Sequence, residues 1–240
     1  WVDYGFTPEE WEVWRRNVLN DAAGWMSRLW NHPSLILWVL SNESHLDMEW
    51  EKGPYRDFVL ALDPTRPTMR TGRGGTADNI DHHSCYNVNG IHCEGFMVTE
   101  IPGWVSGREG RPVTNSEYMN GRRRPLTVWT GTEDPQADAL MVAQLGSEHT
   151  EAMRRARLDG MLPYMYAGWT RLRTGKHWKG GFATPLSACW HSCLSPVLAS
   201  LDLWDANYLA GSEVKTDVHV INDSWSDAAV RVELLLTRES

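Results

Sequence analysis

Apolar side chains recur at spacings of three and four near the start of the chain, which predicts an amphipathic helix. A capping box precedes them, with Thr7 as N-cap, Pro8 at the first helical position and Glu10 at the third. The helix would run for about five turns and bury one face. That face consists of Trp11, Trp14, Val18, Ala22, Trp25 and Leu29.

A continuous apolar run, Leu35 to Leu40, follows a helix-breaking turn at residues 31–34. Because the run does not alternate between polar and apolar positions, it predicts a strand covered on both faces, as in parallel sheets flanked by helices. A second helix is predicted at about 50–62, where Asp63-Pro64 would end it.

Four further short strands and one long helix are predicted downstream. The strands end near Thr71 and lie within 79–87, 111–120 and 161–170, while the helix covers about 138–158. The resulting order, α-β-α-β-β-β-α-β, predicts an α/β fold with a largely parallel sheet.

After Pro196 the pattern changes to a period of two, from Val214 to Val220 and again from Val230 to Leu234. Turn-forming residues at 210–211 and 222–224 flank these segments, which predicts antiparallel hairpin strands. We therefore predict a boundary near 195. An α/β domain would occupy residues 1–195, and the first strands of an immunoglobulin-like β-sandwich would occupy 196–240.

The charge balance excludes one large class of partner. Lys and Arg number 23 against 31 Asp and Glu, a net charge of -8, so we expect no nucleic-acid partner. No apolar run approaches the roughly 18 residues that span a bilayer, so no membrane partner is expected either. The cysteines are too few for a disulfide scaffold. Cys189 and Cys193 could form a disulfide loop or a nucleophile pair, but inert structural cysteines are favoured.

Two carboxylates stand where predicted strands end. Glu43 follows the apolar run at 35–40, and Glu117 follows the strand that contains Val113. In parallel α/β barrels, side chains at the carboxyl ends of the strands face a shared site, where two carboxylates can hydrolyse a glycosidic bond. The alternative is that Glu43 neighbours a helix N-cap and that Glu117 is a surface charge.

The segment NHPSLILWVLSNES, residues 31–44, resembles the signature of glycoside hydrolase family 2, in which a strand after Asn-His-Pro-Ser ends in an Asn-Glu pair. Ser116-Glu117-Tyr118 is similar to the family's later Ser-Glu-aromatic segment. The resemblance implies the C-terminal portion of a (β/α)8 TIM barrel, about strands 4 to 8, followed by the β-sandwich. The earlier barrel strands and an N-terminal sandwich are expected from the remainder of the same polypeptide or from an oligomer.

The resemblance also implies catalytic roles. Glu43 would be the general acid/base on the fourth barrel strand, Glu117 the nucleophile on the seventh, and Asn42 a hydrogen-bond partner of the substrate 2-hydroxyl. A retaining β-glycosidase that removes terminal β-linked sugars from oligosaccharides or glycosides follows, with no cofactor and no metal. Met119 follows Tyr118 where the family usually has Gly, so the seventh loop and the substrate are expected to differ.

Four further residues are candidates for contact with the carbohydrate substrate. His83 and Tyr86 end the sixth strand, Tyr118 adjoins the nucleophile, and Trp169 ends the last strand, where the family places a sugar-stacking aromatic residue. The alternative for each is packing inside the protein.

Two other interpretations remain open. A catalytically inactive carbohydrate-binding protein could keep the fold, although both carboxylates are present. A metal-dependent hydrolase could use a cluster whose spacing matches no common zinc pattern, namely His82, His83, Cys85, His92 and Cys93. The compartment also stays open, with a secreted or periplasmic location favoured over a cytoplasmic one.

Overall fold

The computed structural model of the chain describes residues 5–44, 47–71, 75–82, 94–118, 131–163, 185–203 and 208–237. These residues form two compact units. The first unit contains the described residues up to 82 together with 103–118 and 158–163, and the second contains the others. Both predicted carboxylates, Glu43 and Glu117, therefore belong to the first unit.

The first unit opens with helix α1, Pro8–Leu29. Its predicted capping box is confirmed: the Glu10 amide donates to Thr7 Oγ1 at 3.2 Å, and the Thr7 amide donates to Glu10 Oε2 at 2.7 Å. The buried side of the helix is centred on Ala22 and Met26. The predicted apolar face is thus right for the first half of the helix, but at its end Met26 is buried and Leu29 is exposed.

Strand β1 covers Trp38–Asn42 and starts later than predicted. The Leu35 amide donates to His32 O at 3.1 Å and its carbonyl accepts from Arg66 Nε at 2.7 Å, so this backbone is used by a turn rather than by a sheet. Burial on both faces was also a wrong expectation. Trp38 is buried, whereas Val39 on the opposite face is 41% exposed, because the described helices cover only the first of these faces.

The helical connection after β1 has three parts, which are α2 (Met48–Trp50), a π-helical turn (Glu51–Tyr55) and α3 (Arg56–Leu62). The predicted helix and its end at Asp63 are confirmed. Pro54 lies inside the π-helical turn, whose wider spacing accommodates a residue without an amide N–H. The main core of this unit joins α1, β1 and this connection and consists of Ala22, Met26, Trp38, Leu40, Tyr55 and Val59.

Four more strands of the first unit are β2 (Thr68–Thr71), β3 (Ile80–Asp81), β4 (Val113–Tyr118) and β5 (Gly160–Pro163). β1 pairs with β2, β3 pairs with β4, and β4 pairs with β5, each in parallel. The predicted short parallel strands are therefore confirmed among the described residues.

A tight return connects β2, in the first piece of sheet, to β3, in the second. Asp78 Oδ2 accepts from the Thr68 amide at 3.1 Å, so the chain comes back to the start of β2 before β3 begins. Gly75 permits this return, since it has φ +75° and a Cβ there would lie 2.2 Å from Asn79 O. β3 consequently begins close to the start of β2.

A helix between β3 and β4 was not predicted. Helix α4 covers Glu94–Ser106 and contains Pro102 followed by Gly103, a pair that usually signals a break. Val98 and Ile101 are buried, and this burial outweighs the poor helix propensity of the local sequence.

The second unit contains helix α5, Pro135–Arg155, which confirms the long helix predicted at about 138–158, and helix α6, Pro185–Cys193, which was not predicted. The two helices pack closely where Gly146 faces Trp190. Cys189 and Cys193 lie one turn apart on α6 as free thiols, with their Sγ atoms 4.0 Å apart. No helix in the described ranges is long and apolar enough to cross a bilayer.

The chain ends in an antiparallel pair of strands, β6 (Val197–Leu201) and β7 (Val218–Asn222). A strand at Val230 to Leu234 was predicted and is wrong, because residues 227–237 have no regular structure and their apolar side chains are exposed, Leu236 fully so. Period-two alternation marks a strand only where a partner supplies hydrogen bonds. The β-sandwich and the domain boundary near 195 stay predictions.

Replacing Gly146 by Ala should destabilise the protein. An added Cβ would lie 2.9 Å from Trp190 Cη2 and 3.0 Å from Leu186 Cδ1, and the buried indole has little room to shift. We expect the free energy of unfolding to fall by about 1–3 kcal/mol, as for other overpacked cores. Gly24→Ala on the exposed side of α1 is the control, since its Cβ meets nothing within 4 Å and should stabilise the helix by about 0.5–1 kcal/mol. Urea unfolding of both variants would measure this, and equal effects would contradict the packing argument.

Acid should weaken the second unit through His149. Burial lowers the pKa of His149 to about 4, and a hydrogen bond with the Leu145 backbone opposes this shift only in part. Between pH 6.5 and 4 the unfolded chain therefore binds a proton that the folded chain does not, so stability is lost as the pH falls through this window. The loss from this one group should be on the order of 3 kcal/mol. His149→Met removes the titration, so its stability should depend less on pH between 7.5 and 4.5 than that of the parent protein.

Candidate functional site

The end of β1 presents Asn42 and Glu43 at the same edge as the end of β2. The Glu43 amide donates to Thr71 O at 3.2 Å, and Asn42 Oδ1 accepts a hydrogen bond from Thr71 Oγ1. Glu43 has φ 51°, a left-handed conformation that a residue with a Cβ adopts only at an energetic cost. The last residue of β2 thus fixes both the amide and the strained backbone that carries the carboxylate.

A buried ion pair lies directly behind this turn. Arg70 Nε donates to Glu51 Oε2 at 2.7 Å, and the side chains of the two residues are 0% and 3% exposed. Glu51 Oε2 also accepts from Ser41 Oγ at 2.9 Å, while Arg70 Nη2 donates to the carbonyl of Ser44. The ion pair therefore contacts the chain on both sides of Asn42-Glu43, at Ser41 and at Ser44.

Glu117 is the second-last residue of β4 and is half-buried. Ser116, the residue before Glu117, is held by the buried carboxylate of Asp81 on β3. That carboxylate accepts from the Ser116 amide at 3.0 Å and from Ser116 Oγ at 2.6 Å. Asp81 Oδ1 also accepts from Thr114 Oγ1 at 2.9 Å. β3 thus fixes the backbone beside Glu117 through polar contacts, as β2 fixes the backbone at Glu43.

The predicted site residues divide into two groups. Asn42, Glu43 and Glu117 lie at the carboxyl ends of parallel strands in the first unit. Tyr118 ends β4 with its side chain 1% exposed. His83, Tyr86 and Trp169 lie outside the described residues.

His82, which follows β3, stacks on Trp104 with ring centroids 4.5 Å apart and an interplanar angle of 7°. Burial lowers the pKa of His82, and the charge of Asp81 opposes this shift, so a neutral imidazole is favoured near pH 7. Of the cluster considered for zinc, this residue alone belongs to the described part of the chain. Within that part, no group of three or more His, Cys, Asp or Glu side chains could hold a metal ion.

Sequence reasoning missed the supporting residues, which are Arg70, Glu51 and Asp81. One signal was available, because an ionisable side chain in the middle of a short buried strand needs a hydrogen-bonding partner. Arg70 meets that description, and Asp81 is the buried last residue of a two-residue strand. The identity of the partner was not accessible, since Glu51 lies 19 positions before Arg70 and on a helical turn.

Comparison with known proteins gives one match. The family described as glycosyl hydrolases family 2, TIM barrel domain, matches residues 7–126, which is half of the chain. The matched segment contains α1, the Asn42-Glu43 turn and β4 with Glu117. No curated protein and no solved structure matches the chain. Because the match covers half of the chain, the chain belongs to glycosyl hydrolase family 2, and its match to the TIM barrel domain of that family extends over residues 7–126.

Proposed function

We propose that this chain carries both catalytic carboxylates of a retaining β-glycosidase that removes terminal β-linked sugars from oligosaccharides or glycosides. Membership of the family supports glycosidase-type chemistry. The observation that carries the finer proposal is the position of Glu43 and Glu117. Each lies at the carboxyl end of a parallel strand inside the segment that the family matches, which is the edge where barrel enzymes build their sites.

In the first half of the reaction, the Glu117 carboxylate attacks the anomeric carbon of the bound sugar. The bond between that carbon and the leaving oxygen breaks, and protonated Glu43 gives its proton to the oxygen as it departs. A glycosyl ester on Glu117 and a free alcohol result. Protonation matters most for poor leaving groups, because an alkoxide is otherwise too basic to leave.

In the second half, the Glu43 carboxylate takes a proton from water, whose oxygen attacks the anomeric carbon from the face that the leaving group vacated. The ester bond to Glu117 breaks, its electron pair returns to the carboxylate, and Glu43 ends protonated as it began. Two inversions give net retention. This chemistry requires the two carboxyl groups to be about 5–5.5 Å apart.

Substrate contacts follow from the same arrangement. The Asn42 side-chain oxygen is occupied by Thr71 Oγ1, so its NH2 group is oriented as the donor for the substrate 2-hydroxyl. His83, Tyr86 and Trp169 are the other proposed sugar contacts, whereas Tyr118 is 1% exposed and fits its alternative of packing inside the protein. Aromatic rings suit this role because their flat apolar faces match the C–H faces of a pyranose.

Replacing Glu117 by Ala should abolish turnover. In the intact protein, kcat/KM for whichever nitrophenyl β-glycoside a panel identifies as substrate should fall by on the order of 10⁴-fold or more, because no covalent intermediate can form. Added azide should fit the vacated space and yield the α-glycosyl azide, by a single inversion. Glu49→Ala, which removes an exposed carboxylate on α2, is the matched control. Hydrolysis that survives in Glu117→Ala would leave a carbohydrate-binding or metal-dependent protein as the better interpretation.

Replacing Glu43 by Ala should give a loss that depends on the leaving group. The phenyl glycoside needs protonation and should lose about 10²–10⁴-fold in kcat/KM, whereas the 2,4-dinitrophenyl glycoside should lose far less. Azide should now attack the glycosyl ester on Glu117 and yield the β-glycosyl azide. Equal losses on both substrates, or an α-azide product, would contradict the assignment of Glu43.

A further inference from the structure

We propose that Arg70 is a positioning residue for the acid/base Glu43, acting through the turn at Ser41–Ser44 and in partnership with Glu51. The inference rests on the proposed function. It adds a residue on β2 that touches no reacting atom but decides where the Glu43 carboxyl group lies.

The contacts of Arg70 reach the chain on both sides of Glu43, directly at Ser44 and through Glu51 at Ser41, which is the arrangement a positioning residue needs. Nε bonds to Glu51 Oε2 at 2.7 Å, which in turn accepts from Ser41 Oγ at 2.9 Å, while Nη2 reaches the carbonyl of Ser44. These contacts hold the chain two residues before Glu43 and one residue after it. A rigid guanidinium fork is suited to fixing two groups at once, which a single ammonium group cannot do with the same geometry.

A contribution to the stability of the fold does not by itself explain why Arg70 and Glu51 form a buried ion pair. Taking two full charges out of water costs about as much as their attraction returns, and apolar residues of similar size often serve a core as well. The pair nevertheless occupies β2 and the π-helical turn immediately behind the strained backbone of Glu43. A residue in the left-handed region persists there only when its surroundings over-determine it.

Thr71 also fixes the turn that carries Glu43, independently of Arg70. Loss of Arg70 should therefore lower the activity partly rather than abolish it. Thr71 O accepts from the Glu43 amide at 3.2 Å, and Thr71 Oγ1 bonds to Asn42. Without Arg70 the turn would keep these bonds, but the Ser44 carbonyl would be released and Glu51 would lose its counter-charge. The carboxyl group of Glu43 would then sample positions displaced by about 1 Å from the one suited to protonating the leaving oxygen, which is enough to cost on the order of 10²-fold in proton transfer.

The test compares two glycosides of the same sugar in the intact protein. Arg70→Met should lower kcat/KM for the phenyl glycoside by about 10²-fold while largely preserving that for the 2,4-dinitrophenyl glycoside. For the dinitrophenyl substrate kcat and KM should fall together, because the glycosyl ester accumulates when Glu43 activates water poorly. Arg70→Lys should recover only part of the phenyl activity, since it keeps the charge but not the fork.

Two controls separate positioning from general damage. Asp63→Asn disturbs a buried network at the amino ends of the strands, where Asp63 accepts from Trp38 Nε1 at 2.9 Å, so it should lower stability without changing the ratio of the two activities. Asp81→Asn loosens the residue before Glu117 and should lower both activities by a similar factor, because the nucleophile acts whatever the leaving group.

The outcomes are distinct. Equal losses on both glycosides in Arg70→Met overturn the inference, whereas equal losses in Glu43→Ala overturn the proposed function itself. If Arg70→Met does not fold, Ser41→Ala decides, because it removes one contact of Glu51 and leaves the ion pair intact. It should show the same leaving-group dependence in weaker form, and unchanged activity on the phenyl glycoside would end the proposal.

Discussion

The buried positive charge of Arg70, on β2, determines which polar groups of the first unit must lie around it. Arg70 is fully buried, so its guanidinium has to meet a carboxylate and hydrogen-bond acceptors inside the protein. Glu51 supplies the carboxylate from the π-helical turn, and the Ser44 carbonyl supplies an acceptor from the turn after β1. One charge thereby ties together β1, β2 and the helical connection, and the turn that carries Glu43 is set by polar contacts rather than by apolar packing.

The opposite ends of the same strands are fixed by a separate set of carboxylates. A hydrogen bond from Thr65 lowers the pKa of Asp63, which also accepts from Trp38 at the start of β1 and from Arg66. Asp78 bonds to Arg56 and to Thr68 at the start of β2. Networks at the amino ends can serve stability alone, which leaves the carboxyl ends available for strained and reactive groups. This separation is typical of parallel α/β barrels.

Local signals in the sequence were sufficient wherever the structure is decided within a few residues. The Thr7 capping box, the stop at Asp63 and the short strands before Glu43 and Glu117 all follow from neighbouring residues. α4 could not be predicted, because burial of Val98 and Ile101 outweighs the Pro102-Gly103 pair. α6 had usable signals, since Pro185 stands at its first position and its buried residues Leu186, Trp190 and Cys193 have helical spacing.

Pairings between distant segments were beyond local signals. β7 pairs with β6 and not with the alternating segment at 230–234, because alternation gives the face of a strand but not its partner. The same limit applies to the site. Sequence order could bring out Glu43 and Glu117 as strand-end carboxylates, but it could not reveal that Glu51 would neutralise Arg70 behind one of them.

The backbone of Glu43 shows how stability and chemistry compete at one position. A glycine would adopt φ 51° without strain and would stabilise the turn, but it would remove the carboxylate that the proposed reaction needs. The strain is therefore kept, and the turn is stabilised from outside by contacts from Arg70 and Thr71. An ordinary surface charge would gain nothing from this strained backbone and the ion pair packed behind it. The acid/base role proposed for Glu43 would gain a fixed orientation of the carboxyl group.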